Sequence, residues 1–132
     1  MKTRAMGVAI VAAALALAGG TVLAGTTARE ILDLAGVKGG LVVHIGCTDG
    51  KLTAALRASQ SYIVEGLTTS EENLRAARAH IRELGLYGPV TVGRFDGAHL
   101  PYADNTVNLV VAESLGKVSS DEVMRVLAPG GV

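Results

Sequence analysis

Beyond residue 26 the chain alternates between two patterns. Leu41–Ile45, Tyr62–Val64, Val90–Val92 and Val107–Ala112 are short runs rich in β-branched residues, with little regular polar alternation. Runs of that kind predict strands buried on both faces of a parallel sheet. The segments between them have helical spacing. Thr27 and Glu30 form a capping box that opens a helix with Ile31, Leu34 and Ala35 on one face, closed by Gly36. Gly50 leads into a helix carrying Leu52, Ala55 and Leu56. Thr69 and Glu72 form a second box ahead of Leu74, Ala77, Ile81 and Leu84, the apolar stripe of the longest helix, while Arg75, Arg78 and Arg82 fall toward solvent. Gly85 ends that helix as a C-cap. Ser119 and Glu122 cap a last helix through Leu127, which Pro129-Gly130-Gly131 terminates.

Strands alternating with helices imply right-handed crossovers and a doubly wound parallel sheet, an α/β fold. Such sheets take ligands beyond the carboxyl ends of their strands, where strand order reverses. The segment His44–Gly50, HIGCTDG, follows the first strand directly and so falls where that rule puts a small-molecule site.

Composition changes the picture at the N-terminus. Residues 26–132 read as one globular domain, since 49% of the chain is apolar and 18% charged. Residues 1–24 follow another rule. Lys2 and Arg4 give a positive start, Ala5–Leu17 is apolar, and Val22-Leu23-Ala24 places small side chains where a signal peptidase reads. This predicts a signal peptide cut after Ala24, with an uncleaved membrane anchor as the alternative. Both place the domain outside a bacterial-type inner membrane, exported and either periplasmic or anchored there. Twelve basic and twelve acidic residues cancel, which gives no electrostatic footprint for nucleic acid. Cys47 is the only cysteine, so no intrachain disulfide forms, and its place in the loop suggests a small packing residue rather than a reactive thiol.

The loop matches neither a P-loop nor the Gly-x-Gly-x-x-Gly dinucleotide fingerprint. It resembles the first motif of class I S-adenosylmethionine-dependent methyltransferases (methyltransferase type 11-like), in which strand one leads through an Asp and an apolar residue into Gly-Cys-Gly-x-Gly. GLTTSEENLRAARAHI resembles the family's second strand end and following helix, VTVGRFDGAHLPYADNTVNLVVAES its third and fourth strands, and EVMRVLAPGGV its Pro-Gly-Gly turn before strand five. The resemblance implies a Rossmann-like sheet of the class I methyltransferase type, truncated before strand five, because Val132 falls at that strand's first residue. It is similar in particular to the exported variant that precedes a pyrroloquinoline-quinone (PQQ)-type β-propeller.

The resemblance implies S-adenosylmethionine as cofactor and methyl transfer to an unknown acceptor, with His44, Gly46, Cys47, Thr48, Gly50, Thr68, Asp96 and Glu113 around the site. The family's acid after strand one falls on His44, its ribose-binding acid after strand two on Thr68, and a motif glycine on Thr48. The acid after strand three, which meets the adenine amino group, is kept as Asp96. Hydrogen bonds to a charged group contribute about 1.5–3 kcal/mol against about 1 for a neutral pair. A protonated His44 would repel the cofactor's positive charges, and Thr48 would be strained if its φ were positive. Together these changes predict binding weakened on the order of a hundredfold or more. Two other functions stay open: a non-catalytic module for packing or protein interaction within a larger exported protein, and a domain binding another adenine nucleoside.

Other residues have plainer readings. His44, His80 and His99 show no metal-site spacing. Glu113 stands where family members put substrate-facing groups, but an exposed strand-end carboxylate accounts for it as well. Asp96-Gly97 and Asp104-Asn105 are good turn pairs. Gly46 and Gly50 suit a tight strand-to-helix turn with or without a ligand. Asn108 replaces an acid common in the family.

Overall fold

The computed structural model describes residues 27–132. Residues 1–24, where the sequence leads one to expect a signal peptide or membrane anchor, lie outside the described residues. The elements in chain order are α1 Ala28–Ala35, β1 Gly40–Ile45, α2 Lys51–Ala55, β2 Tyr62–Thr68, α3 Glu71–Glu83, β3 Val90–Arg94, β4 Leu109–Ala112 and α4 Ser120–Val126. The strands form one sheet in the order β3-β2-β1-β4, and every pair is parallel. The chain steps outward from β1 to β3 and then returns to the other side of β1, so strand order reverses between β1 and β4.

Val42 and Val43 show why the sheet is doubly wound. Both are wholly buried, and as neighbours in a strand they point to opposite faces. Val42, Val64, Val90, Val92, Leu109 and Val111 pack with Leu32, Leu74, Ala77 and Ile81 of α1 and α3 on one face. Val43, Ile45, Leu67 and Val110 pack with Val123, Val126, Leu127, Leu100 and Val107 on the other. Among the described residues no helix is long and apolar enough to cross a membrane.

The caps at Thr27 and Ser119 form as the sequence predicts: each side chain accepts the backbone N–H of the glutamate three residues on. The cap of α3 lies one residue later than expected. β2 runs through Thr68, Thr69 becomes the connecting residue, and Ser70 is the N-cap, accepting from Asn73 N at 3.2 Å. At the far end Leu86 N bonds Ile81 O and Gly85 N bonds Arg82 O, a Schellman closure. β4 is shorter than its apolar run, because Val107 hydrogen-bonds with Val126 O and Ala128 N instead of joining the ladder. Asn108 pins the starts of two strands together: its Oδ1 accepts Leu41 N at 3.0 Å and its backbone N donates to Leu41 O at 2.9 Å. Val132 lies along the outer edge of β4, accepting from Val110 N and donating to Asn108 O.

Candidate functional site

The turn after β1 is built by two glycines. Gly46 has φ +86, and the amides of Gly46 and Cys47 both reach Leu67 O of β2, at 2.9 and 3.0 Å. Gly50 has φ +82, and a Cβ there would stand 3.0 Å from the Cα and carbonyl oxygen of Ala77 in α3. Glycine therefore lets α2 start against the backbone of α3. The strain expected at Thr48 is absent. Asn105, with φ +60, is the single non-glycine residue with positive φ among those described, and Thr48 is an exposed residue in ordinary backbone.

His44 is bonded into the core and does not line the cleft beyond the strand ends. It is 7% exposed, and its Nδ1 lies 2.8 Å from Thr53 Oγ1 of α2. The Thr53 hydroxyl donates to Cys47 Sγ at 3.1 Å. A hydroxyl has one proton, so His44 Nδ1 must be the donor in its own bond, which assigns the tautomer from the network. Burial lowers the His44 pKa to about 4, so the ring is neutral at pH 7 and the expected repulsion of a cationic cofactor does not arise. Burial also pushes the Cys47 thiol up, in keeping with a packing role. Gly66 makes room for this cluster, since a Cβ there would lie 3.0 Å from Cys47 Sγ and 3.1 Å from Thr53 Cγ2.

A cleft of about 510 Å³ opens beyond the carboxyl ends of the strands, beside the reversal between β1 and β4. Gly46 and Cys47 line its floor. Thr68, Thr69, Ser70 and Asn73 form one wall, Phe95, Asp96 and Gly97 another, and Ser114, Leu115, Gly116 and Lys117 a third. Of the residues singled out in the sequence, Gly46, Cys47, Thr68 and Asp96 line it. His44, Thr48, Gly50 and Glu113 do not: His44 is bonded into the core, Gly50 is packed on α3, and Thr48 and Glu113 are exposed outside the lining. The residues added by the structure, such as Phe95, Asn73 and Lys117, follow strand ends or open a helix, and only their proximity to those ends would have pointed to them.

Thr68 is 3% exposed, and its Oγ1 accepts Ser70 N at 3.1 Å, which leaves the hydroxyl proton to donate. Asp96 closes the turn expected of Asp96-Gly97, where Gly97 has φ +90. Its Oδ1 accepts Ala98 N at 2.8 Å and His99 N at 2.7 Å, while Oδ2 accepts His99 Nδ1 at 2.7 Å. The backbone amides of His99 and Ala98, with the His99 side chain after them, hold its carboxyl well below the usual range. Side chains far along the chain fasten the rest of this loop. Glu122 accepts Leu100 N at 2.7 Å, and Arg125 donates to Leu100 O, Tyr102 O and Asp104 Oδ1 at 2.8 to 3.0 Å. Tyr102 donates its hydroxyl to Glu65 of β2. Among the described residues no three His, Cys, Asp or Glu side chains gather as a metal site.

A family model described as a methyltransferase domain matches residues 42–131. Methyltransferase GfsG of Streptomyces halstedii is 34% identical over 108 residues, which cover 77% of this chain and 38% of that protein. A Methanococcus maripaludis protein, proposed to be an S-adenosyl-L-methionine-dependent methyltransferase, superposes with a TM-score of 0.70 at 24% identity, covering 79% of this chain and 50% of that one. The [4+2]-cyclase SpnF superposes with a TM-score of 0.62 at 25% identity, covering 76% and 42%. This chain thus spans half or less of the length of each. The doubly wound fold read from the sequence is the fold these proteins share with it.

Proposed function

The chain belongs to the methyltransferase domain family, and from that membership we propose that its cleft binds S-adenosylmethionine and that the domain transfers the methyl group to an acceptor seated along Ser114–Lys117. The observation that carries the reading is the floor of the cleft. Gly46 stands at the strand end with nothing within 4 Å of where a Cβ would be, so a ligand can approach the backbone there. The lining suits a nucleoside. The Thr68 hydroxyl would donate to a ribose oxygen, Asp96 would accept from the adenine amino group, and Phe95 supplies an aromatic flank. When bound, the cofactor supplies an electrophilic methyl group on its sulfonium. The chain's own part is to hold the nucleoside and exclude water while the acceptor is aligned, and such transfer depends chiefly on alignment.

Thr68 in place of a carboxylate costs about 1–2 kcal/mol of ribose binding, roughly tenfold in affinity. Calorimetric titration of S-adenosylmethionine and S-adenosylhomocysteine into the full chain tests the reading. Binding in the micromolar range, tightened about tenfold by Thr68→Asp, is the expected result. A folded chain that binds neither compound, with or without Thr68→Asp, would refute it.

A second reading, a non-catalytic module serving packing or protein interaction, draws on a specific observation: neither position where the family keeps its first two acids presents a carboxylate to the cleft, since Thr68 is neutral and His44 is turned into the core. The leader supports this reading too. Lys2, Arg4 and the apolar stretch Ala5–Leu17 favour export, away from the cytosol that supplies the family's cofactor. Cell fractionation tests export, and sequencing the whole reading frame tests whether PQQ-type propeller repeats follow.

A further inference from the structure

We infer that His99 is a positioning residue for the cleft: its imidazole holds the Asp96 carboxylate so that one lone pair of Oδ2 is left to face the 6-amino group of a bound adenosine. The inference rests on the cofactor reading and extends it to a residue outside the lining. A carboxylate has about four acceptor lone pairs. In Asp96 three are engaged: two on Oδ1 by the amides of Ala98 and His99, and one on Oδ2 by His99 Nδ1. The fourth belongs to the one carboxylate that lines the cleft. The loop carrying both residues is tied down just beyond them, where Leu100 N meets Glu122 and Leu100 O meets Arg125. The exposed imidazole is thus the one partner of Asp96 that comes from a side chain rather than the backbone.

The charged groups acting on His99 are Asp96 on its own loop and Glu122 and Arg125 on α4. The hydrogen bond to Asp96 and its charge raise the His99 pKa above the ordinary value, Glu122 adds to this, and Arg125 opposes it. His99 therefore stays protonated further toward neutral pH than a free histidine. A charged donor holds a carboxylate more firmly than a neutral one, so presentation of Asp96 weakens as pH rises through the His99 pKa.

The probe is 5′-methylthioadenosine, which keeps the adenine 6-amino group but lacks the α-amino and α-carboxyl groups of the methionine end, whose titration would obscure the profile. It is titrated into the full chain and into His99→Ala and His99→Asn at about pH 6 and about pH 8.5. The expected result is a severalfold loss of affinity at the higher pH for the native chain. His99→Ala should be weaker at both, and His99→Asn, whose side-chain N–H replaces Nδ1–H, should keep its affinity with no pH dependence. A flat native profile, or unchanged affinity in His99→Ala, overturns the inference. An NMR titration of the His99 ring in the free chain separates the two levels of the argument. Asp96→Asn should bring its midpoint down, and an unmoved midpoint overturns the pairing itself. A lowered midpoint in a chain that binds neither 5′-methylthioadenosine nor S-adenosylhomocysteine overturns the cofactor reading, and the role of His99 in it.

Discussion

His44 makes acid stability a direct test of how the strand-to-helix turn is built. In the folded chain the ring is neutral, donates Nδ1–H to Thr53 and has a pKa of about 4, whereas an unperturbed histidine has 6.5. The unfolded chain therefore takes up a proton below 6.5 that the folded chain refuses. The stabilising contribution is complete above 6.5 and is lost as pH falls toward about 4. At about 1.4 kcal/mol per pH unit, the whole interval corresponds to about 3 kcal/mol. Because His44 is 7% exposed, solvent screening removes little of it. The perturbation is His44→Asn, which keeps an N–H donor for Thr53 and abolishes the titration. Urea unfolding followed by far-UV circular dichroism, from about pH 7.5 to about pH 4.5, gives stability for both chains. Subtracting the two curves cancels carboxylate titrations common to them. The native chain should lose stability relative to the variant as pH falls from about 6.5, with a slope approaching 1.4 kcal/mol per unit. Parallel curves, or a native chain that gains on acidification, would show that His44 is not buried as a neutral donor.

Two further pairs of substitutions probe how the helix ends are built. Ser70→Ala should cost about 1 kcal/mol through loss of the α3 cap, and Thr69→Ala close to nothing, in the same unfolding assay; equal losses would return the cap to Thr69. Gly50→Ala should cost about 2–4 kcal/mol, adding a Cβ against the Ala77 backbone at positive φ. Gly36→Ala, also at positive φ but with open space around it, should cost only about 1 kcal/mol.

The strands were legible because β-branched runs such as Leu41–Ile45 have little reason to be apolar throughout except burial on both faces. The same property hid the direction of His44. A strand buried on both sides carries no alternation to mark which residues face a helix and which lie toward the ligand end. The position of His44 depends on Gly66 in β2, with which it pairs across the sheet, and on Thr53 in α2. Gly66, inside a strand, was the available sign of a close approach. Thr69 and Ser70 both have the chemistry of a cap, and the choice between them rests on where β2 stops. Asp96 was readable because local turn chemistry fixes it. The Ser114–Lys117 wall carries no pattern of its own and is defined by what lies across the cleft.

The fastening of the Asp96 loop also sets an order of events during synthesis. Glu122 holds Leu100 from 22 residues downstream and Arg125 from 25. A ribosome delivers the loop first, and the turn at Asp96 can form at once because its amide partners are two and three residues away. Tyr102 can reach Glu65 of β2 as soon as it is made, but the ties of Leu100 to α4 wait until that helix has emerged and packed. This side of the cleft is therefore completed late, and a nascent domain halted before residue 120 would carry the turn at Asp96 without the side chains that fasten Leu100 behind it.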